Sequence, residues 1–340
     1  MTDQRNGKTP DSATKITRRQ ALQRIGLGAA VTGAGGLGAL NSAPVQRPLV
    51  YSTGKNFEGE DLPPLHDPAD YGLENIVVED WKTSADDTFR AWHSKDMVPG
   101  KKTLVFFPGN GGHLGASPEK MADGKVLGGR DSYVELLKRA LKQDYQIVAV
   151  NPVGYAGSNI EGSPTQQKMY EGAEATIDKL LAQGIAPKDM HIAGLSMGTA
   201  LAAHAANHLS GKKEFTGDDT QKISLLLVNG LLNVREGLAN FAPAINKLVF
   251  KVWDNLDAGK ELRQMGAGGH GKRIRAIFLH GMNDPATPHT QLEKHRVAAA
   301  ELKFDWVQMQ GSHYMTPDHI LWQFERMDKP SFLQARQRER

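Results

Sequence analysis

Short, almost wholly apolar runs alternate along this chain with segments whose apolar residues recur at helical spacing. Residues 103–107, 145–150, 190–195, 223–229 and 274–280 have the composition of strands buried on both faces, and 305–309 closes the series. Between them, Tyr133, Leu136, Leu137, Ala140 and Leu141 fall on one helical face. Met169, Ala173, Ile177, Leu180 and Leu181 fall on another, in a helix opened near Pro164 and closed near Gly184. Residues 196–209 form an Ala-rich helix, 290–302 a further one, and a last helix begins near Pro317. Such alternation dictates an α/β fold: a mostly parallel central sheet with helices on both faces and right-handed crossovers. Residues 75–81 and 89–94 precede the series and read as an antiparallel pair.

The stretch 231–272 breaks the rhythm and is expected to form a small cap over the sheet. Residues 44–74 are rich in Pro, Asp and Gly and read as an irregular lead-in, so the folded domain is placed at 75–340. At 340 residues with 39% hydrophobic and 23% charged side chains, the chain can bury a large core, which excludes a disordered protein. Cysteine is absent, which excludes disulfides, zinc–thiolate sites and a thiol nucleophile. No uninterrupted apolar run reaches the roughly 18–20 residues of a membrane span.

The net charge of +3 invites a nucleic-acid reading until it is located. Residues 1–43 hold six Lys/Arg and two Asp, a net of +4, which leaves −1 for the rest. The 336–340 tail carries three Arg and one Glu without interleaved aromatics, so no nucleic-acid partner is expected. Arg18-Arg19 stands before a charge-free, Gly/Ala-rich segment and then Asn41-Ser42-Ala43-Pro44. That order resembles a twin-arginine export signal, so the protein is expected outside the cytoplasm, in the periplasm or secreted. A flexible tail, or a region read by another secretion route, is the alternative, in which case the protein stays cytoplasmic or leaves by that route. Six glycines between positions 26 and 38 argue against a stable soluble helix there, at up to about 1 kcal/mol each relative to Ala.

The strongest chemical signal is Gly194-Leu195-Ser196-Met197-Gly198, directly after one strand and directly before a helix. A serine on so tight a turn is pushed out above the sheet, and glycines on either side leave room for the chain to pass. The same turn aims the Met197 amide at the point where negative charge would develop. Phe106-Phe107-Pro108-Gly109-Asn110-Gly111-Gly112-His113 follows an earlier strand, and its glycines let the Asn110 amide approach that point. Asn110 and Met197 would then form a two-donor oxyanion hole. A phosphate loop is disfavoured, because the G-x-x-x-x-G-K-[ST] spacing is missing. Asp284 lies just past the 274–280 strand and His313 just past the last one, at the edge where open α/β sheets gather their ligand groups. The roles follow: Ser196 is the nucleophile, His313 the base and then acid, and Asp284 the group that orients the imidazole. His280, His289 and His319 are the substitutes for His313.

These residues carry a resemblance to the α/β-hydrolase superfamily over roughly 75–326. They are joined by Gly154-Tyr155-Ala156-Gly157-Ser158 and His280-Gly281. The Phe107–Gly112 turn, the short cap and 154–164 are similar to the branch of serine aminopeptidase-like hydrolases and palmitoyl-protein thioesterases. The chain departs from that branch at Asn151-Pro152-Val153 and at Ala156. The resemblance implies the α/β-hydrolase fold and a serine hydrolase without cofactor or metal, acting on a small-molecule or lipid-like acyl substrate. Ester or thioester cleavage is expected ahead of amide or peptide cleavage, with a catalytically silent binding protein as the rival. Peripheral membrane contact stays open. Phe241, Leu248, Val249, Phe250, Val252 and Trp253 are candidates for an acyl pocket or for helix packing. Replacing Arg18 and Arg19 by Lys is expected to abolish export, measured by fractionating cells that express the full chain. Continued export would exclude the twin-arginine route.

Overall fold

The computed structural model describes residues 42, 46, 51, 67–110, 114, 131–155, 164–212, 215, 222–241, 246–247, 255–269, 273–284, 287–288, 290–300, 302, 304–309 and 317–329. Residues 1–43, expected to direct export, lie outside them apart from Ser42. Among the described residues, eight strands form one sheet: β1 (Ile76–Lys82), β2 (Thr88–Ser94), β3 (Thr103–Phe107), β4 (Gln146–Val150), β5 (Met190–Leu195), β6 (Ile223–Val228), β7 (Ile274–Gly281) and β8 (Phe304–Met309). Their order is β1-β2-β4-β3-β5-β6-β7-β8. β1 pairs antiparallel with β2 and β2 with β4, and every other pairing is parallel. Arg90 faces Asp80 across the first pair and grips its carboxylate with two hydrogen bonds, 2.8 and 3.0 Å.

Successive strand residues serve opposite faces. Val105, Phe107, Ile192, Leu225, Leu227 and Phe278 join one core, under the helices α2 (Gln166–Ala182), α3 (Gly198–Ser210), α5 (Ala258–Ala267) and α6 (Thr290–Ala298). Leu104, Phe106, Ala193, Leu226, Ile277 and Leu279 join the other, under α1 (Asp131–Lys142) and α7 (Pro317–Asp328). β3, β4, β5 and β6 are buried at every position, as their mostly apolar composition requires. Thr165 caps α2 by accepting from the Lys168 amide, and Asp257 caps α5 by accepting from the Lys260 amide. α4 (Val234–Phe241) and α5 come from the 231–272 stretch. Of these, α5 is a packed layer element, with Ala258, Leu262 and Met265 fully buried. No helix among the described residues is long and apolar enough to cross a membrane.

The connection from β3 runs to β4 on one side, whereas the connections from β5 onward run to β6, β7 and β8 on the other. β3 and β5 are adjacent, so their connections diverge at the carboxyl edge of the sheet, the switch point where ligand crevices form in open α/β sheets.

A charged ladder ties three helices of one layer together. His204 on α3 places Nε2 2.8 Å from Glu174 of α2 and Nδ1 3.1 Å from Glu261 of α5. Tyr170 of α2 stacks flat on its ring, with centroids 4.0 Å apart. One turn on, His208 and Lys212 both meet Asp178 of α2. Burial opposes a charge on His204, but hydrogen bonding and attraction from Glu261 and Glu174 outweigh it and hold the imidazole above its ordinary value of 6.5. Glu261 is likewise held below 4.5 by His204 against the pull of burial. A raised imidazole stabilises the fold below pH 6.5 and loses that contribution as pH rises through its folded value. A depressed carboxylate does the reverse at the acid end. His204→Ala should therefore destabilise by about 1–3 kcal/mol in urea titrations. The gap from the parent should be widest between pH 4.5 and 6.5 and should narrow on both sides.

Candidate active site

Ser196 stands where β5 passes into α3. Its φ of 53° lies in the left-handed region, which costs a non-glycine residue about 1–2 kcal/mol. The helix read from position 196 accordingly starts at Gly198. A Cβ on Gly194 would lie 2.2 Å from the Gly198 carbonyl oxygen, and one on Gly198 would lie 2.2 Å from the Phe107 carbonyl oxygen. Both glycines are thus demanded by backbone packed against backbone. The Ser196 amide donates to Val228 O at 2.9 Å, which anchors the turn to the end of β6. The Thr199 hydroxyl and amide both donate to Ser196 O, at 2.6 and 3.1 Å. Ser196 is left 8% exposed.

The turn after β3 lies directly on this elbow. A Cβ on Gly109 would meet Ser196 Cβ at 3.2 Å and Leu195 O at 3.4 Å. The Gly109 amide donates to the Tyr133 hydroxyl at 3.0 Å. Tyr155 donates its hydroxyl to Asn110 Oδ1 at 2.5 Å and lies 3.5 Å from Met197 Sδ. The two residues expected to supply oxyanion donors, Asn110 and Met197, therefore meet at a common neighbour beside Ser196.

Asp284 follows β7 and is buried, 6% exposed. Its Oδ1 accepts from the Thr287 amide at 2.9 Å, and its Oδ2 accepts from the Thr287 hydroxyl. Asn229, with φ 46°, links this loop to the elbow. Its amide donates to Leu279 O and its Oδ1 accepts from the Gly281 amide at 2.7 Å, while Thr287 Oγ1 lies 3.3 Å from its carbonyl oxygen. Ser196 and Asp284 thus sit at the carboxyl ends of β5 and β7, separated by β6. Two strand spacings amount to about 10 Å, a gap suited to one intervening imidazole.

His313 lies outside the described residues, as do His289, residues 248–250 and 252–253, and the side chain of Phe241. The strand that precedes His313 in sequence is placed: Met282 donates its amide to Met309 O at 2.9 Å, so β7 and β8 leave the sheet side by side. His280 is fully buried within β7, and His319 is half-buried on α7. Among the described residues no group of His, Asp or Glu side chains could hold a metal ion. The hydrogen-bonding roles of Tyr133, Tyr155, Asn229 and Thr287 emerge from the structure. The Asp-Pro-Ala-Thr spacing of residues 284–287 was a signal for the last, since an aspartate commonly accepts from the backbone a few residues on.

No protein-family model and no curated protein sequence matches the chain. Solved structures do. An esterase of Pyrococcus furiosus is 13% identical and superposes with a TM-score of 0.53, over 84% of this chain and 98% of the esterase. An esterase of the Planctomycetes species Thermogutta terrifontis is 16% identical, with a TM-score of 0.46 over 74% of this chain and 90% of that one. The chain spans 38% of the length of a puromycin-hydrolysing peptidase of Mycobacterium tuberculosis, at 14% identity and a TM-score of 0.44. At such identities the shared property is the fold. Strand order, elbow and the P. furiosus match together define the α/β-hydrolase fold, as the sequence resemblance implied.

Gly198→Ala must push the elbow off β3 and is expected to cost about 3 kcal/mol or more by urea denaturation. Gly211→Ala, where a Cβ would find its nearest neighbour at 3.6 Å, should change stability by about 0.5 kcal/mol or less.

Proposed function

We propose that the protein is a serine hydrolase that cleaves a carboxylic ester or thioester through an acyl-enzyme intermediate. The observation that carries this reading is Ser196, held in a strained left-handed turn at the switch point between β3 and β5, with the Gly109–Asn110 turn packed onto it. Strain of this kind persists only where surrounding structure over-determines it, and it concentrates at reacting residues.

The chemistry runs as follows. Ser196 Oγ attacks the acyl carbon while His313 takes its proton, and the carbonyl electrons move onto oxygen. The Asn110 and Met197 amides stabilise that oxyanion. Collapse of the tetrahedral intermediate expels the alcohol or thiol, which receives the proton from the imidazolium. Water then repeats the sequence and releases the acid. Asp284 orients the imidazole and stabilises its charged form, and the two Thr287 donors fix the carboxylate plane for that task. The P. furiosus neighbour that shares the fold is an esterase, which is compatible with the serine hydrolase reading.

A fluorophosphonate should label the wild type at Ser196, and Ser196→Ala should abolish both labelling and p-nitrophenyl ester turnover. The expected loss is about 10⁴-fold or more with an unchanged melting temperature. Undiminished turnover by the variant would remove Ser196 from the mechanism. A folded wild type that resists labelling would instead indicate a silent hydrolase fold used for binding.

A further inference from the structure

The turn that faces the expected oxyanion is built from Pro108-Gly109-Asn110-Gly111-Gly112. Gly109 permits the close approach to Ser196, but glycine also gives the chain the most freedom to leave that position. An oxyanion donor contributes only if it stands at hydrogen-bond distance before charge develops. Something outside the turn must therefore hold it.

Two phenols, from two separate elements, reach it. Tyr133 projects from α1 and accepts from the Gly109 amide at 3.0 Å. Tyr155 comes from the loop after β4 and donates to Asn110 Oδ1 at 2.5 Å. Both rings are buried, 5% and 1% exposed, and Tyr133 packs its ring on Phe106 of β3 with centroids 5.3 Å apart. Tyr155 is itself fixed: its amide donates to Pro152 O, and the preceding Gly154 has φ 84° with its α-carbon hard against Pro164. Burial pushes the Tyr155 hydroxyl well above its ordinary value, with the Tyr51 and Tyr133 phenols adding to the effect, so it stays a protonated donor at any working pH.

We propose that Tyr133 and Tyr155 are positioning residues for acyl transfer: their hydroxyls clamp the Gly109–Asn110 turn at the spacing from Ser196 that its amide needs to meet the oxyanion. The proposal rests on the serine hydrolase reading, and the clamp acts on transition-state charge rather than on substrate binding. Phenylalanine at either position keeps the ring and its packing and removes only the hydroxyl.

The test uses the full chain as wild type, Tyr155→Phe and Tyr133→Phe, each titrated with fluorophosphonate so that rates are expressed per reactive serine. Each variant should lose roughly 10- to 100-fold in kcat, the scale of a small misplacement of a catalytic group, with KM little changed. An alkyl trifluoromethyl ketone, which adds Ser196 to form an oxyanion, should bind more weakly by the same factor. The matching methyl ketone, which stays largely trigonal, should bind as before. A merely structural role would lower the melting temperature or the titrated fraction and leave kcat per serine and trifluoromethyl ketone affinity intact. Values within about twofold of wild type for both quantities in both variants would overturn the clamp. A wild type with neither labelling nor turnover would instead overturn the hydrolase reading, and the clamp with it.

Discussion

The α-carbon of Gly198 lies so close to β3 that an added methyl would sit 2.2 Å from the Phe107 carbonyl oxygen and 2.5 Å from that of Pro108. That contact joins the start of α3 to the end of the neighbouring strand with nothing between them. It fixes the height of Ser196 above the sheet and forces the serine into the left-handed region. It also brings the turn after β3 onto the serine, because that turn begins at the same carbonyls. The connections of β3 and β5 run from this point toward opposite sides of the sheet, the arrangement at which open α/β sheets gather their ligand groups. The placement of Ser196 and of the candidate oxyanion turn beside it follows from one steric constraint, which is why the two flanking glycines admit no substitute.

Most of the sheet could be read from the sequence because a strand buried on both faces is apolar at most positions, and such runs are conspicuous. β3 and β5 have the bounds expected for them. Two boundaries beside the candidate site shift because backbone sign, rather than hydrophobicity, decides them. The strand read to position 229 stops at Val228, since Asn229 takes φ 46°, and the helix read from 196 starts at Gly198, since Ser196 takes φ 53°. Apolar periodicity carries no information about the sign of φ, and both residues lie at the candidate site, where local preference is most often overridden. The helix read to 302 ends at Ala298 because the chain must turn back to enter β8 at Phe304, and the Leu302 amide bonds the Ala299 carbonyl in doing so. Tyr133 was visible as a core position of α1, but the partner of its hydroxyl belongs to a distant segment and leaves no trace in spacing.

Charge was harder to place than apolar surface. His204, His208 and Lys212 carry no apolar signal in the sequence, and the structure sets them against Glu174 and Asp178 across a helix–helix contact. The pairing lets α3 pack an alanine face tightly on the sheet while its other side is held by charge. Small side chains bring the α3 backbone close to β3 and β5, as the Gly198 contact requires. The ladder then supplies adhesion that so thin a layer of alanine cannot, since burial stabilises by only about 25 cal/mol per Å² of apolar area.

β6 contributes no reacting side chain, yet it sets the spacing between the two ends of the candidate triad. Val228 accepts from the Ser196 amide on one side, and Asn229 takes the Gly281 amide and approaches the Thr287 hydroxyl on the other. Its backbone is therefore a rigid ruler between nucleophile and acid. A residue in the left-handed region is needed for the Asn229 side chain to turn back toward β7, and asparagine is among the few non-glycine residues that adopt it readily. Glycine would accept the same backbone but has no oxygen to receive the Gly281 amide, which would leave that buried donor unpaired at about 1–3 kcal/mol. Asparagine satisfies both demands without adding a buried charge, and it sets the spacing between Ser196 and Asp284 from outside the candidate triad.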